Sequence, residues 1–331
     1  MSKGTRLKRA AFLAGAAAAG ASAVPQLARA GKLDRVGVDY AYYNPPSLIL
    51  KENGWLESAL APRGTRVEWV LSLGSNKANQ FVASRAVDFG STAGSAAFLA
   101  RANGTPLHTV YLYSQPEWTA LVVAKNSKIG AVRELKGKTI AATHGTDPWF
   151  FLLRSLRDAG LAPSDVQIVD LQHPDGRIAL ERGQVDAWAG LDPHMAASQL
   201  QAGSRLLYRN AAYNTYGALN SHESFLRENP DVAAVVLAQY ERARRFAIAN
   251  PAKTAEILAK YSSLPIEVAT LVIRERTKYP DPLPGPPYVR AVGVCESIIR
   301  DDKLVAAGTD LDVALRSLVD PTTARVALHR A

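Results

Sequence analysis

Cysteine is nearly missing from this chain: Cys295 is the only one in 331 residues. A lone thiol excludes an internal disulfide and any cysteine-based metal site. Cys295 falls in Val292–Ile299, an apolar run at helical spacing, where a small buried side chain is expected rather than a nucleophile. Histidine is sparse as well. His144 and His173 have no acidic neighbour at metal-ligand spacing, so they read as ordinary loop residues, and neither metal nor cofactor is expected. Beyond the amino terminus no window reaches the roughly eighteen apolar residues of a membrane span.

Acidic residues are absent from the first thirty positions, which hold Lys3, Arg6, Lys8, Arg9 and Arg29. Taking those five bases from the 39 in the chain leaves 34 against 30 acids, so the formal charge falls from +9 to +4. The remaining positive charge is scattered, with no stripe of Lys and Arg interleaved with aromatics, and nucleic acid is not an expected partner. Ala10 to Val24 is an apolar run of small residues, and Ala28 and Ala30 stand at A-x-A spacing before Gly31. Residues 1–30 therefore read as a secretory signal peptide, too short and alanine-rich in its core to stay in a bilayer. Lys8-Arg9 before Phe12-Leu13 departs from a twin-arginine pattern by one Lys and one residue of spacing, so the export route, Sec or Tat, stays open.

What remains is a chain that is 47% hydrophobic and 21% charged, enough to bury two cores. Strand patterns at Arg35–Tyr40, Val67–Leu71, Leu107–Tyr113, Thr139–Ala142, Val166–Leu171 and Asp186–Gly190 alternate with helical stretches of ten to fifteen residues. That alternation predicts an α/β protein with largely parallel, helix-covered sheets. Composition shifts near Trp118 to Ala124, which marks a crossing into a second unit, and the extended Asn214–Asn220 returns the chain to the first. Asn229-Pro230 and Asn250-Pro251 each stop one helix and start the next.

Two segments share one architecture. Gln184 to Gly190 is a buried-strand pattern followed by Asp192 and Pro193 as the cap and first turn of a helix; Ala86 to Gly90 is another, running through Ser91–Ser95 into a helix from Ala96 to Ala102. Helix N-termini carry unpaired N–H groups and partial positive charge, so the loops Tyr43–Ser47, Ser91–Ala96 and Gly145–Trp149 can hold a small anion without a lysine. In them Asn44, Ser91, Thr92, Ser95 and Thr146 offer polar side chains, while Gly94 and Gly145 let the backbone approach closely. Asp147 and Asp192 each precede a proline and a helix, so they either cap or meet a cation on the ligand. Tyr43, Trp118 and Tyr213 are the aromatic candidates for touching it. Trp188, in mid-strand, is expected in the core.

The runs Tyr40 to Pro45, Lys51-Glu52-Asn53-Gly54-Trp55-Leu56, Ser72 to Lys77, Val87 to Gly94, Leu135-Lys136-Gly137-Lys138 and Gly183 to Pro193 carry a family likeness over nearly the whole mature chain. In that order and spacing the chain resembles the periplasmic aliphatic sulfonate and taurine binding proteins of ABC importers, within the nitrate, sulfonate and thiamine-precursor group. The resemblance implies a two-lobed periplasmic binding protein fold of type II: residues 31–120 and 217–331 form one lobe and 121–216 the other, each a mostly parallel sheet flanked by helices, joined by two crossings. It also implies a monomer in the periplasm that closes on a sulfonate, taurine or an alkanesulfonate, and delivers it to an inner-membrane permease. One departure bears on ligand size: where the group commonly has Trp-Asp-Pro, this chain has Leu191-Asp192-Pro193. Other cargoes within the group, namely nitrate, riboflavin or an aminopyrimidine, stay open. A desulfinase-like enzyme of this fold would need a cysteine nucleophile, and Cys295 is far along the chain in a helical pattern.

Overall fold

The structure, a computed structural model, describes residues 33–328; the signal-peptide reading of residues 1–30 falls outside them. In chain order the strands are β1 (Arg35–Tyr40), β2 (Arg66–Leu71), β3 (Phe89–Ala93), β4 (Leu107–Pro116), β5 (Thr119–Val123), β6 (Thr139–Ala142), β7 (Gln167–Asp170), β8 (Ala187–Leu191), β9 (Arg205–Tyr208), β10 (Gly217–His222) and β11 (Thr277–Lys278). They form two sheets, ordered β11-β4-β10-β3-β1-β2 and β7-β6-β8-β5-β9.

Each sheet is mixed, and the mixture follows from the crossings. The outer strands β1, β2 and β3, like β6, β7 and β8, pair in parallel because helices return the chain between them. Next to the crossings the pairs β10 with β3 and β4, β5 with β8 and β9, and β11 with β4 run antiparallel. The chain passes from the first sheet to the second between Pro116 and Thr119, and returns between Tyr208 and Gly217. Both connections lie on the antiparallel side, which leaves β2 and β7 at the opposite rim.

Strand β3 sits about three residues later than its sequence pattern suggests. Ser91, Thr92 and Ala93 belong to the strand, not to the loop ahead of the helix, because β10 pairs along them with Leu219 opposite Ser91 and Gly217 opposite Ala93. That partner is remote in sequence, so no local pattern announces it. The following helix, Gly94–Ala102, correspondingly starts two residues earlier than Ala96.

Two apolar clusters flank the first sheet. One gathers Val36, Leu48, Ile49, Tyr111 and the helix Pro230–Ala249, the other Phe98, Leu112, Tyr288, Ile299 and Leu318. The second sheet has its own pair, built around Phe151 and Leu156 on one face and Trp188 and Leu180 on the other. Cys295 is buried in the first sheet's second cluster, between the helices Pro286–Gly293 and Glu296–Asp301 and not inside one helix as the apolar pattern suggests. Among the described residues no helix is long and apolar enough to cross a membrane.

The helix His173–Glu181 shows how tightly the second sheet is covered. Gly176 faces the indole of the fully buried Trp188, and a Cβ there would lie 2.6 Å from Nε1. Alanine would gain about 1 kcal/mol of helix propensity, yet overpacking against a ring that cannot move costs about 1–3 kcal/mol. Gly176→Ala is therefore expected to lower stability by about 1 kcal/mol, read as a lower urea midpoint at unchanged slope; a raised midpoint would show that Trp188 can shift.

Candidate functional site

The carboxyl ends of β1, β3, β6 and β8 all turn toward the space between the two sheets. A small apolar cluster of Ala41, Tyr43, Ala93, Ala96, Trp118 and Leu191 joins residues from both sides there. Leu191, where the resembling group has tryptophan, thus packs into the floor.

Asp147 organises this floor. The helix Asp147–Asp158 begins after Gly145, whose φ of +71° suits a residue without Cβ. The Asp147 carboxylate, 1% exposed, accepts from Trp118 Nε1 at 2.9 Å, from Thr215 N and Oγ1 at 2.8 Å each, and from the Ser95 hydroxyl. Trp118 belongs to the first crossing, Thr215 to the second, and Ser95 to the first turn of the helix that follows β3. One carboxylate therefore ties together both connections and both halves of the chain. Burial pushes its pKa above the usual range, and the bonds from Ser95, Thr215 and Trp118 pull it back.

Asp192 makes the second link and is equally buried. Its oxygens accept from Arg276 Nη1 at 3.0 and 3.1 Å, and one also accepts from Ala196 N at 2.9 Å. Arg276 ends a widened helical turn, Val272–Arg276, and its other amino group donates to Gln199. Both charged groups are buried. Burial raises the Asp192 pKa and Arg276 opposes the rise. Beside the pair lies a cavity of only about 10 Å³, room for about one water, walled by Tyr42, Tyr43, Trp118 and Val272 with Asp192 and Arg276.

The residues singled out in the sequence divide accordingly. Tyr43, Trp118 and Asp192 line the cavity, with the Tyr43 and Trp118 rings edge to face at 6.0 Å. Ser95 and Asp147 form the floor, and Gly145 faces Leu99 across the cleft. The others have partners inside their own half. Asn44 caps the helix Pro45–Asn53 and donates to Ser91 Oγ at 2.6 Å, while Ser91 Oγ donates to Asp39 at 2.6 Å. Burial lifts Asp39 to about 6 against those bonds. Thr92 Oγ1 accepts from Asn220, and Thr146 Oγ1 donates to the Thr143 carbonyl. Gly94 makes room for Val292 and Tyr288, not for a solute. Tyr213 packs in the second sheet's core beneath the Arg154 guanidinium, 3.8 Å from its ring centre.

Arg276, Thr215 and Gln199 were not legible as site residues. Arg276 stands in the charged run Arg274-Glu275-Arg276-Thr277-Lys278, which reads as a solvated face, and only the fold carries it to Asp192.

At the rim the halves touch through histidines. His173 is fully buried at the start of its helix, not in a loop, and Nε2 would be 3.2 Å from a Cβ on Gly74 of the first half. Thr143 Oγ1 donates to the Leu171 carbonyl, so it accepts from His173 Nδ1 at 3.1 Å and fixes the proton there. His194 meets Tyr42 edge to face at 6.4 Å. Burial pushes His173 down to about 3 and His194 down to about 4, so both are held neutral.

Two layered sheets joined by a double crossing, with a cleft at the strand ends, define the class: a two-lobed binding-protein fold. The chain belongs to the NMT1/THI5-like family, whose model matches residues 46–254. A relative from Escherichia coli (strain K12), named as an aliphatic sulfonates-binding protein, is 31% identical over 67% of this chain; the match spans 66% of that relative, just under two thirds of its length. Among solved structures, the periplasmic aliphatic sulphonate binding protein of Escherichia coli aligns with a TM-score of 0.73 at 25% identity, covering 87% of this chain and 92% of its own. The alkanesulfonate-binding protein of Xanthomonas axonopodis pv. citri, bound to MOPS, aligns at 0.77 with 23% identity, covering 86% and 98%.

His173 makes stability depend on pH with a definite sign. Its folded pKa lies below the ordinary value of 6.5, so its contribution is complete above pH 6.5 and is lost as pH falls toward 3. The stability difference between the wild type and His173→Gln is expected to shrink by about 2 kcal/mol from pH 7 to pH 5. Paired urea titrations measure it; a constant difference would mean that His173 is not held neutral.

Proposed function

We propose that this chain is the extracytoplasmic solute-binding component of an ABC importer, that it captures an alkanesulfonate between its lobes, and that it hands the solute to an inner-membrane permease. In this reading residues 31–120 with 217–331 form one lobe and 121–216 the other, and the protein works as a monomer in the periplasm after loss of residues 1–30. The observation that carries it is the composition of the interlobe cavity: one buried guanidinium, Arg276, beside an apolar wall of Tyr42, Tyr43, Trp118 and Val272. A sulfonate is a tetrahedral anion on an apolar stem, and that wall and charge match its two ends.

The cavity is far too small for such a solute as the cleft stands, so admission requires the lobes to part at the crossings 116–119 and 208–217. Reclosure over the ligand is then what a permease can recognise, since solute shifts the population toward the shut form. The permease partner follows from the family likeness.

Taurine fits less well than an uncharged alkyl chain. Asp147 and Asp192, the carboxylates that could meet an ammonium, already have full sets of donors. Nitrate would use Arg276 but leave the aromatic wall uncovered. A desulfinase-like reaction through Cys295 is disfavoured because the thiol is 1% exposed, lies outside the cavity wall, and is pushed up to about 12 by burial.

Titration calorimetry of the protein in a sulfonate-free buffer against butane- and hexanesulfonate, taurine, nitrate, riboflavin and an aminopyrimidine tests the reading. One-to-one binding of the alkanesulfonates is expected, with taurine weaker by about tenfold or more because its ammonium would be buried unpaired. Silence toward every sulfonate would remove the ligand assignment and leave the fold intact.

A further inference from the structure

We infer that Asp192 is a built-in competitor for the head group of the solute, and that it sets specificity by admitting only anions that bring an apolar tail. The inference rests on the binding reading above. Arg276 is the one cationic side chain lining the cavity among the described residues. Its Nη1 is already shared by both Asp192 oxygens at 3.0 and 3.1 Å, and its other amino group is engaged by Gln199. An incoming anion finds only Nε–H and one Nη2 hydrogen of Arg276 without a partner; to use Nη1 it must displace Asp192, which then keeps just the Ala196 N–H at 2.9 Å.

Carboxylate and solute head thus share one guanidinium in a site with room for about one water, where like charges repel strongly. A bare inorganic anion offers Arg276 nothing that Asp192 does not already supply, and it adds repulsion. Net binding must come from elsewhere. The wall of Tyr42, Tyr43, Trp118 and Val272 provides it in proportion to the apolar surface a solute buries. Asp192 and Arg276 come from opposite lobes, so the contest is settled each time the cleft opens and shuts. A mere closure latch would use the same pair with the opposite consequence, because loss of Asp192 would then weaken binding.

Calorimetry of wild type, Asp192→Asn and Arg276→Gln against nitrate and methane-, butane- and hexanesulfonate separates these roles, with thermal unfolding as the check on folding. For the wild type we expect no heat with nitrate and a gain of about fourfold in affinity per methylene. Asp192→Asn is expected to bind every anion about tenfold tighter, by the same factor at each tail length, and to acquire nitrate binding; Arg276→Gln should lose all of them. Asp192→Asn binding sulfonates as weakly as the wild type or more weakly, or Arg276→Gln binding unchanged, would overturn the proposal and leave the sulfonate reading standing. Nitrate binding by Asp192→Asn in a protein that ignores every sulfonate would support the competitor and sink that reading instead. If Asp192→Asn fails to fold, excess nitrate added to the wild type decides: no change in sulfonate affinity supports the proposal, and competition overturns it.

Discussion

A single carboxylate without a cation holds the two halves of this molecule in register. Asp147 receives four hydrogen bonds, from a residue of the first crossing, a residue of the second, and the first turn of a helix in the other lobe. Hydrogen bonds to an ionised acceptor are stronger than neutral ones, and removing the acceptor would strand several buried donors at once. The carboxylate also stands in the first turn of a twelve-residue helix, where the macrodipole favours negative charge. The position of the crossings, the packing of Trp118 on Tyr43 and the shape of the cleft all follow from that one junction.

The same junction changes what the helix ends can do. Free amide donors at the starts of helices are the natural anion receptors of such clefts. At three of them the protein supplies its own acceptors: the Asn44 side chain at Pro45–Asn53, Thr215 and Tyr216 oxygens at Gly94–Ala102, and Asp192 at His194–Ala197. In the function proposed above, the free-energy contrast between solutes then rests on one guanidinium and a set of aromatic faces.

Local chemistry made much of the fold legible. Strands β1 and β6 begin and end where their apolar patterns do, and the Asn-Pro steps at 229–230 and 250–251 start helices as proline at the first position should. What could not be read was everything set by distant partners. Ser91–Ala93 is strand because β10 comes back beside it, Tyr213 is core because Arg154 and Phe151 close over it, and Arg276 is a site residue because the last third of the chain folds back across the cleft. The aromatic and acidic candidates were found because their positions at strand ends are local facts. Which of them face a solute, and which face each other, depends on how two sheets meet.

In the proposed clamp the two buried aspartates divide the work between them. Asp147 is satisfied by neutral donors, Trp118 and Thr215 on the crossings and Ser95 on the facing lobe, and the bonds at the crossings need not break in the opening proposed above. Asp192 is satisfied mainly by a charge on the opposite lobe, and a buried ion pair survives only while its partner is present. The opening proposed above would separate Asp192 from Arg276 and expose both to water, where the cost of separation falls steeply with the rise in dielectric constant. A neutral, many-donor junction at the pivot and a single charged contact at the jaw would give the proposed clamp a fixed axis and a breakable seal.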